Sequence, residues 1–116
     1  MAAVRRVAIV GGGIAGLATA ISLRQRGIDA TVYEQAPALR EVGAGIALWP
    51  NATRALRQLA SADLRFEVLD AVVARSGPAE SVWIVRPDGR PLTQFSTARP
   101  DAPSLCIHRA DLVGAL

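Results

Sequence analysis

The stretch that decides the fold is Val7-Ala8-Ile9-Val10-Gly11-Gly12-Gly13-Ile14-Ala15-Gly16-Leu17-Ala18-Thr19-Ala20. It begins inside a run from Val4 to Val10, rich in Val and Ile, that halts at a cluster of glycines. That is the pattern of a short buried strand. From Ile14 to Arg26 the spacing predicts a helix, with Leu17, Ala20, Ile21 and Leu23 able to face a sheet. Arg24 and Arg26 fall near the negative end of its dipole, and Gly27 stands where a left-handed C-cap residue belongs. Ala30 to Glu34 reads as a second short strand. Strand, helix and strand in about 30 residues make a βαβ unit, right-handed by default.

The glycines spell G-x-G-x-x-G between the first strand and the helix. Gly11 permits the tight turn, Gly13 lets backbone approach a pyrophosphate, and Gly16 allows close packing of helix on strand. Ala20, small as well, keeps that packing close. The amides of the first helical turn, at Ile14, Ala15 and Gly16, together with the positive dipole end, suit phosphate charge. Glu34 ends the second strand 18 residues past Gly16, where a carboxylate accepts hydrogen bonds from a ribose diol, and Gln35 lies beside it. Strand, glycines, helix and terminal acid in this order form a dinucleotide-binding fingerprint. The fingerprint alone leaves FAD and NAD both open, since each presents an ADP half to the loop. Glu34 disfavours NADP, whose 2′-phosphate would meet a like charge.

The rest of the chain is less regular. Pro37 breaks it, Gly43 and Gly45 bracket a turn, and Ile46 to Trp49 is a short extended piece. Asn51 is a candidate N-cap after Pro50, for a helix from Ala52 to about Ala60. A second short helix is expected over Leu64 to Ala74, with Leu64, Val68, Leu69 and Val72 on one face. Ser81–Arg86 and Leu92–Ser96 read as a hairpin joined through Pro87-Asp88-Gly89-Arg90. Leu105–His108 looks like another strand, and Arg109–Leu116 begins a helix.

Composition narrows the function classes. With 116 residues, 51% of them apolar, the chain is globular and one domain at most. Its 13 basic residues are all Arg, scattered and not interleaved with aromatics, which argues against a nucleic-acid surface despite a net charge of +3. One cysteine, Cys106, and one histidine, His108, leave no basis for a disulfide or a metal centre. A reducing, cytoplasmic setting fits the single cysteine. Arg5-Arg6 followed by uncharged residues from Val7 to Leu23 imitates a signal peptide, but four glycines in that run weaken an apolar helix. The same run is too short and glycine-rich to span a membrane.

Beyond the fingerprint, Leu39-Arg40-Glu41-Val42-Gly43-Ala44-Gly45-Ile46-Ala47-Leu48-Trp49-Pro50-Asn51-Ala52 resembles the class A flavoprotein monooxygenases, the FAD-dependent hydroxylases of the salicylate and para-hydroxybenzoate hydroxylase type. Ile107-His108-Arg109-Ala110-Asp111-Leu112 looks like that family's second arginine motif. The resemblance covers essentially the whole chain. It implies a Rossmann-like α/β FAD-binding domain of which residues 1–116 form the N-terminal portion, with the hairpin as an excursion. It implies FAD as cofactor, NADH or NADPH as reductant, and an aromatic or heteroaromatic substrate. Arg40 would lie near the adenosine and pyrophosphate of FAD, the loop from Gly43 through Gly45 to Ile46 would pass the isoalloxazine ring, and Arg109 would reach the ribityl-phosphate region. An Arg fork suits phosphate oxygens, and glycines let backbone lie against a flat ring.

The sequence departs from the family where some members use a catalytic histidine and this chain has Ala47. No residue here supplies a nucleophile, so the expected site residues bind cofactor and none is assigned to catalysis. His108 reads as structural, and Trp49 and Trp83 as packing residues. The later family motifs and a substrate domain have no counterpart, so these residues are expected to be inactive alone and to self-associate or pair with the remainder of a larger protein. Two other readings stay open: a different flavin- or NAD-dependent oxidoreductase domain, and a truncated product that catalyses nothing.

Overall fold

The computed structural model describes residues 4–38, 44–59 and 67–116. In chain order they form β1 (Arg6–Val10), α1 (Ile14–Arg24), β2 (Asp29–Tyr33), β3 (Gly45–Leu48), α2 (Pro50–Arg57), α3 (Val68–Val73), β4 (Gly77–Pro78), β5 (Ser81–Val85), β6 (Pro91–Ser96), β7 (Leu105–His108) and α4 (Arg109–Ala115).

The βαβ unit forms as the sequence predicts, except that β1 begins at Arg6 and not Val4, and β2 runs one residue earlier than expected, so Glu34 lies just past its end. β1 and β2 pair in parallel, from Arg6 opposite Asp29 to Val10 opposite Tyr33. Parallel strands need a crossover, and α1 supplies it. α1 ends at Arg24, two residues earlier than its pattern suggests, because the chain turns into a left-handed cap at Gly27, where φ is +71°. The amide of Ile28 donates back to the Leu23 carbonyl at 3.0 Å, closing the helix end. Arg24 reaches past the cap, its Nη2 donating to the Ala30 carbonyl at 3.1 Å. On the inner face of α1 Ala20 is buried, as is Ala30 on β2.

A second sheet has the order β3-β7-β4, antiparallel throughout, with β7 in the middle. Leu48, Leu105 and Ile107 from this sheet meet Leu56, Leu59, Val68, Leu69, Val72 and Leu112 from the helices and the turn after α2 in the main core. Burying each such side chain stabilises by roughly 1.5–3 kcal/mol. Ile14 and Ile21 of α1 pack against this core, which ties the βαβ unit to the second sheet. Thr53 is fully buried there, its hydroxyl donating to the Pro103 carbonyl at 2.9 Å.

α2 corrects the expected start. Trp49, not Asn51, holds the cap position, and Pro50 is the first helical residue. Proline has no N–H to lose there and its fixed φ already suits a helix, so it outcompetes the asparagine cap. α2 ends at Arg57, with Gln58 as its C-cap. Of the helix expected over 64–74, Val68–Val73 is helical with Glu67 at its N-cap, and residues 60–66 lie outside the described part. The expected hairpin forms between β5 and β6, with a register irregularity at Ile84/Val85 and Gly89 at φ +82° in the turn. Trp83, Ile84, Val85, Leu92 and Phe95 on it are all about half exposed. Among the described residues no helix is long and apolar enough to cross a membrane.

Candidate cofactor-binding site

The site lies where β1 hands over to α1. Gly11 takes φ +108°, a left-handed conformation that L side chains rarely adopt, and this turns the chain out of the strand. Its amide continues the β1–β2 ladder by donating to the Tyr33 carbonyl at 2.7 Å. Gly16 sits against that turn: a Cβ there would lie 1.9 Å from the Gly11 carbonyl oxygen and 3.4 Å from an Ile9 methyl. Helix and strand are therefore as close as backbone permits. The first amides of α1, from Ile14 through Gly16, have no carbonyl one turn earlier to accept their hydrogen bonds. Ile14 is half-buried against the core and Ala15 is exposed, its carbonyl taken by the Thr19 hydroxyl at 2.7 Å.

Glu34 follows directly on β2. Both of its carboxylate oxygens accept backbone hydrogen bonds, Oε2 from Gly12 at 2.6 Å and Oε1 from Ala36 at 2.9 Å. The amide of Ala36, then those of Gly12 and Gln35, hold this carboxyl below its ordinary pKa, against an opposing desolvation effect. Each oxygen keeps a further lone pair, so the group still has acceptor capacity. Gln35 lies in the exposed bend after it.

Arg109 arrives from the far end of the chain. It is the first residue of α4, and its amide donates to the Ala44 carbonyl at 3.0 Å, just before β3. Its guanidinium Nη2 is 3.9 Å from the place a Cβ on Gly13 would take. Gly45 pairs with His108 across β3 and β7, at the base of the same arginine. The structure thus brings Gly11, Gly13, Gly16, Glu34 and Arg109 together at one loop, where Ile14 and Ala15 open α1. Gln35 follows Glu34 in the exposed bend, and Gly45, expected in a loop, is instead the first residue of β3. Arg40, expected near them, lies outside the described residues, as does Gly43.

Two residues matter here that the fingerprint passes over. Gly12 occupies a variable position of the motif, yet a Cβ on it would stand 3.1 Å from the Glu34 Cβ and 3.2 Å from Oε2. The run of three glycines was the available signal. His108 caps α4 through Nδ1, which accepts from the Ala110 amide at 3.3 Å, in keeping with a structural role. Trp49 and Trp83 are 41% and 55% exposed, which places them at the surface and outside the core. No group of three or more metal-ligating side chains occurs among the described residues.

The arrangement is a glycine loop flanked by the Glu34 carboxylate at Gly12 and by the Arg109 guanidinium near Gly13. It fits the ADP half and pyrophosphate of a dinucleotide. The sequence matches the model of the FAD-dependent oxidoreductase family over residues 6–79. The chain belongs to that family.

Its relatives within the FAD-dependent oxidoreductases are flavin monooxygenases. It is 38% identical over 112 residues to a salicylate hydroxylase of Pseudomonas putida, with 96% of this chain and 25% of that protein covered. It is 41% identical over 113 residues to the 3-amino-4-hydroxybenzoate 2-monooxygenase PtmB3 of Streptomyces platensis, covering 92% and 27%. In three dimensions it is similar to the tetrameric form of 2-methyl-3-hydroxypyridine-5-carboxylic acid oxygenase, with a TM-score of 0.76, 31% identity, and 98% and 28% of the two chains covered. The chain spans about a quarter of the length of the curated relatives it matches.

Proposed function

We propose that these residues are the ADP-binding part of the FAD domain of an NAD(P)H-using monooxygenase that acts on a small aromatic or heteroaromatic substrate. The observation that carries this reading is Arg109 poised over Gly13, which turns an ordinary βαβ glycine loop into an anion site with a charged roof. Gly11, Gly13, Ile14, Ala15 and Gly16 would receive the pyrophosphate on backbone amides. Glu34, with Gln35 beside it, would receive the adenosine ribose. Arg109 and Arg40 would neutralise phosphate charge, and Gly45 would let backbone pass the flavin. When bound, FAD supplies the redox chemistry that moves reducing equivalents from NAD(P)H to O₂ and substrate. The chain's own residues bind and orient it. The aromatic substrates in the names of the relatives support the substrate class.

Further parts of the reading have their own support. Self-association, or pairing with further protein, would cover the half-exposed apolar residues of the β5–β6 hairpin, and the similar oxygenase is described as tetrameric. A cytoplasmic location accords with a lone, exposed Cys106.

Titrating the protein with FAD, NAD and FMN tests the assignment. FAD is expected to bind most tightly, with a shift in flavin absorbance and fluorescence. Tight NAD binding with no uptake of FAD would overturn it.

A further inference from the structure

Three consecutive glycines are a poor way to build a fixed cradle. Glycine loses more backbone freedom on ordering than any other residue, so Gly11-Gly12-Gly13 needs anchors from outside the loop. Two are present, and they come from consecutive residues at the end of β2. The Gly11 amide is held by the Tyr33 carbonyl at 2.7 Å, and the Gly12 amide by the Glu34 carboxylate at 2.6 Å. The first is ordinary strand pairing carried one residue past β1. The second is a side-chain bond, charge-assisted and therefore the stronger kind.

The carboxylate is itself fixed. Its other oxygen accepts from the Ala36 amide at 2.9 Å, in the bend that follows β2. Glu34 thus bridges the glycine loop and the β2 exit, with one oxygen on each. Gly12 is buried beneath it, and a Cβ there would approach the Glu34 side chain at 3.1 Å and 3.2 Å, tight enough that this side chain would have to give by a few tenths of an ångström. A carboxylate that only awaited a ribose would not need this close fit to the loop.

We propose that Glu34 is a positioning residue of the phosphate cradle: its carboxylate fixes the Gly12 peptide, so that the loop holds its cofactor-ready shape before any dinucleotide arrives. This deepens the FAD reading and rests on it for the identity of the ligand. One side chain then serves two parts of the site, because a group that meets the ribose also sets the backbone beside the pyrophosphate. Glu34 is needed with the cofactor absent as well as present.

The test reads the Gly12 amide by NMR in the full chain without ligand. Its proton is expected far downfield and to move with pH as the Glu34 carboxyl titrates. In Glu34→Ala that shift is expected to collapse and exchange of the Gly12 amide to quicken by roughly tenfold or more. Glu34→Gln keeps a neutral acceptor and is expected to restore part of the protection. Because Glu34 is exposed, both variants are expected to fold, and unchanged amide spectra away from the loop verify that. A Gly12 amide that ignores pH through the carboxylate range, or that exchanges at the wild-type rate in Glu34→Ala, overturns the proposal. FAD titration of the wild type is a separate arm. If no FAD binds, the cofactor reading fails, while the ligand-free amide still decides the role of Glu34.

Discussion

A side-chain carbon on Gly16 would lie 1.9 Å from the carbonyl oxygen of Gly11. The distance belongs to two backbones with nothing between them, so neither partner can rotate away. It explains why the third glycine of the fingerprint is needed for packing rather than for turn geometry.

Gly16→Ala is accordingly expected to force α1 away from β1. Overpacking of this kind costs about 1–3 kcal/mol, and here the obstacle is backbone, which puts the expectation at the upper end. Thermal or denaturant unfolding of the variant against the wild type measures it. An unchanged midpoint would contradict the packing described.

The pH dependence follows from Glu34. Its pKa is lowered in the folded chain by the amides of Ala36, Gly12 and Gln35. A lowered folded value means the stabilisation is fully present above the ordinary carboxylate range and is lost as pH falls through the depressed value. Wild type and Glu34→Gln should therefore differ in stability at neutral pH and converge in strong acid. Denaturant titrations at both ends check this, and a difference that persists or grows in acid would show the sign to be wrong.

Arg109 should matter to ligand more than to folding. Arg109→Ala is expected to weaken FAD binding by about 1.5–3 kcal/mol, the range for hydrogen bonds to charged groups. Arg109→Lys should fall between, since a point charge replaces a planar fork. Fluorescence titration with FAD gives the affinities, and equal affinity in all three proteins would remove Arg109 from the site.

Thr53 is the buried hydroxyl on which the α2 packing depends. Thr53→Val keeps the shape but leaves the Pro103 carbonyl without its 2.9 Å donor. The expected loss is about 1–3 kcal/mol of stability. Thr53→Ser retains the donor and should be the milder change. Unfolding midpoints of the pair decide it, and a more stable Val variant would refute the account.

The local elements around the site were legible because their signals are local. A β-rich run ending in glycines, a helical period and a glycine cap gave β1, α1 and Gly27. Turn chemistry at Pro87-Asp88-Gly89-Arg90 gave the hairpin between β5 and β6. α2 was misplaced by its cap because two local rules competed, and Pro50 at the first helical position won over Asn51 as cap. The family motifs named Arg109 and Gly45, but as positions in a pattern, without a geometry.

By itself, then, the sequence determined the βαβ unit, the hairpin and the glycine turn between β1 and α1, since period, glycine and proline act within a few neighbours. Only the tertiary structure decided what those residues meet. It sets β7 between β3 and β4, brings Arg109 over Gly13 from nearly the other end of the chain, and seats Gly12 under the Glu34 carboxylate. Such contacts depend on how packed elements sit in space, and neither the period of a helix nor the spacing of a motif carries that information. A glycine in a variable position of a fingerprint looks dispensable until a neighbouring side chain is found crowding the place its Cβ would take.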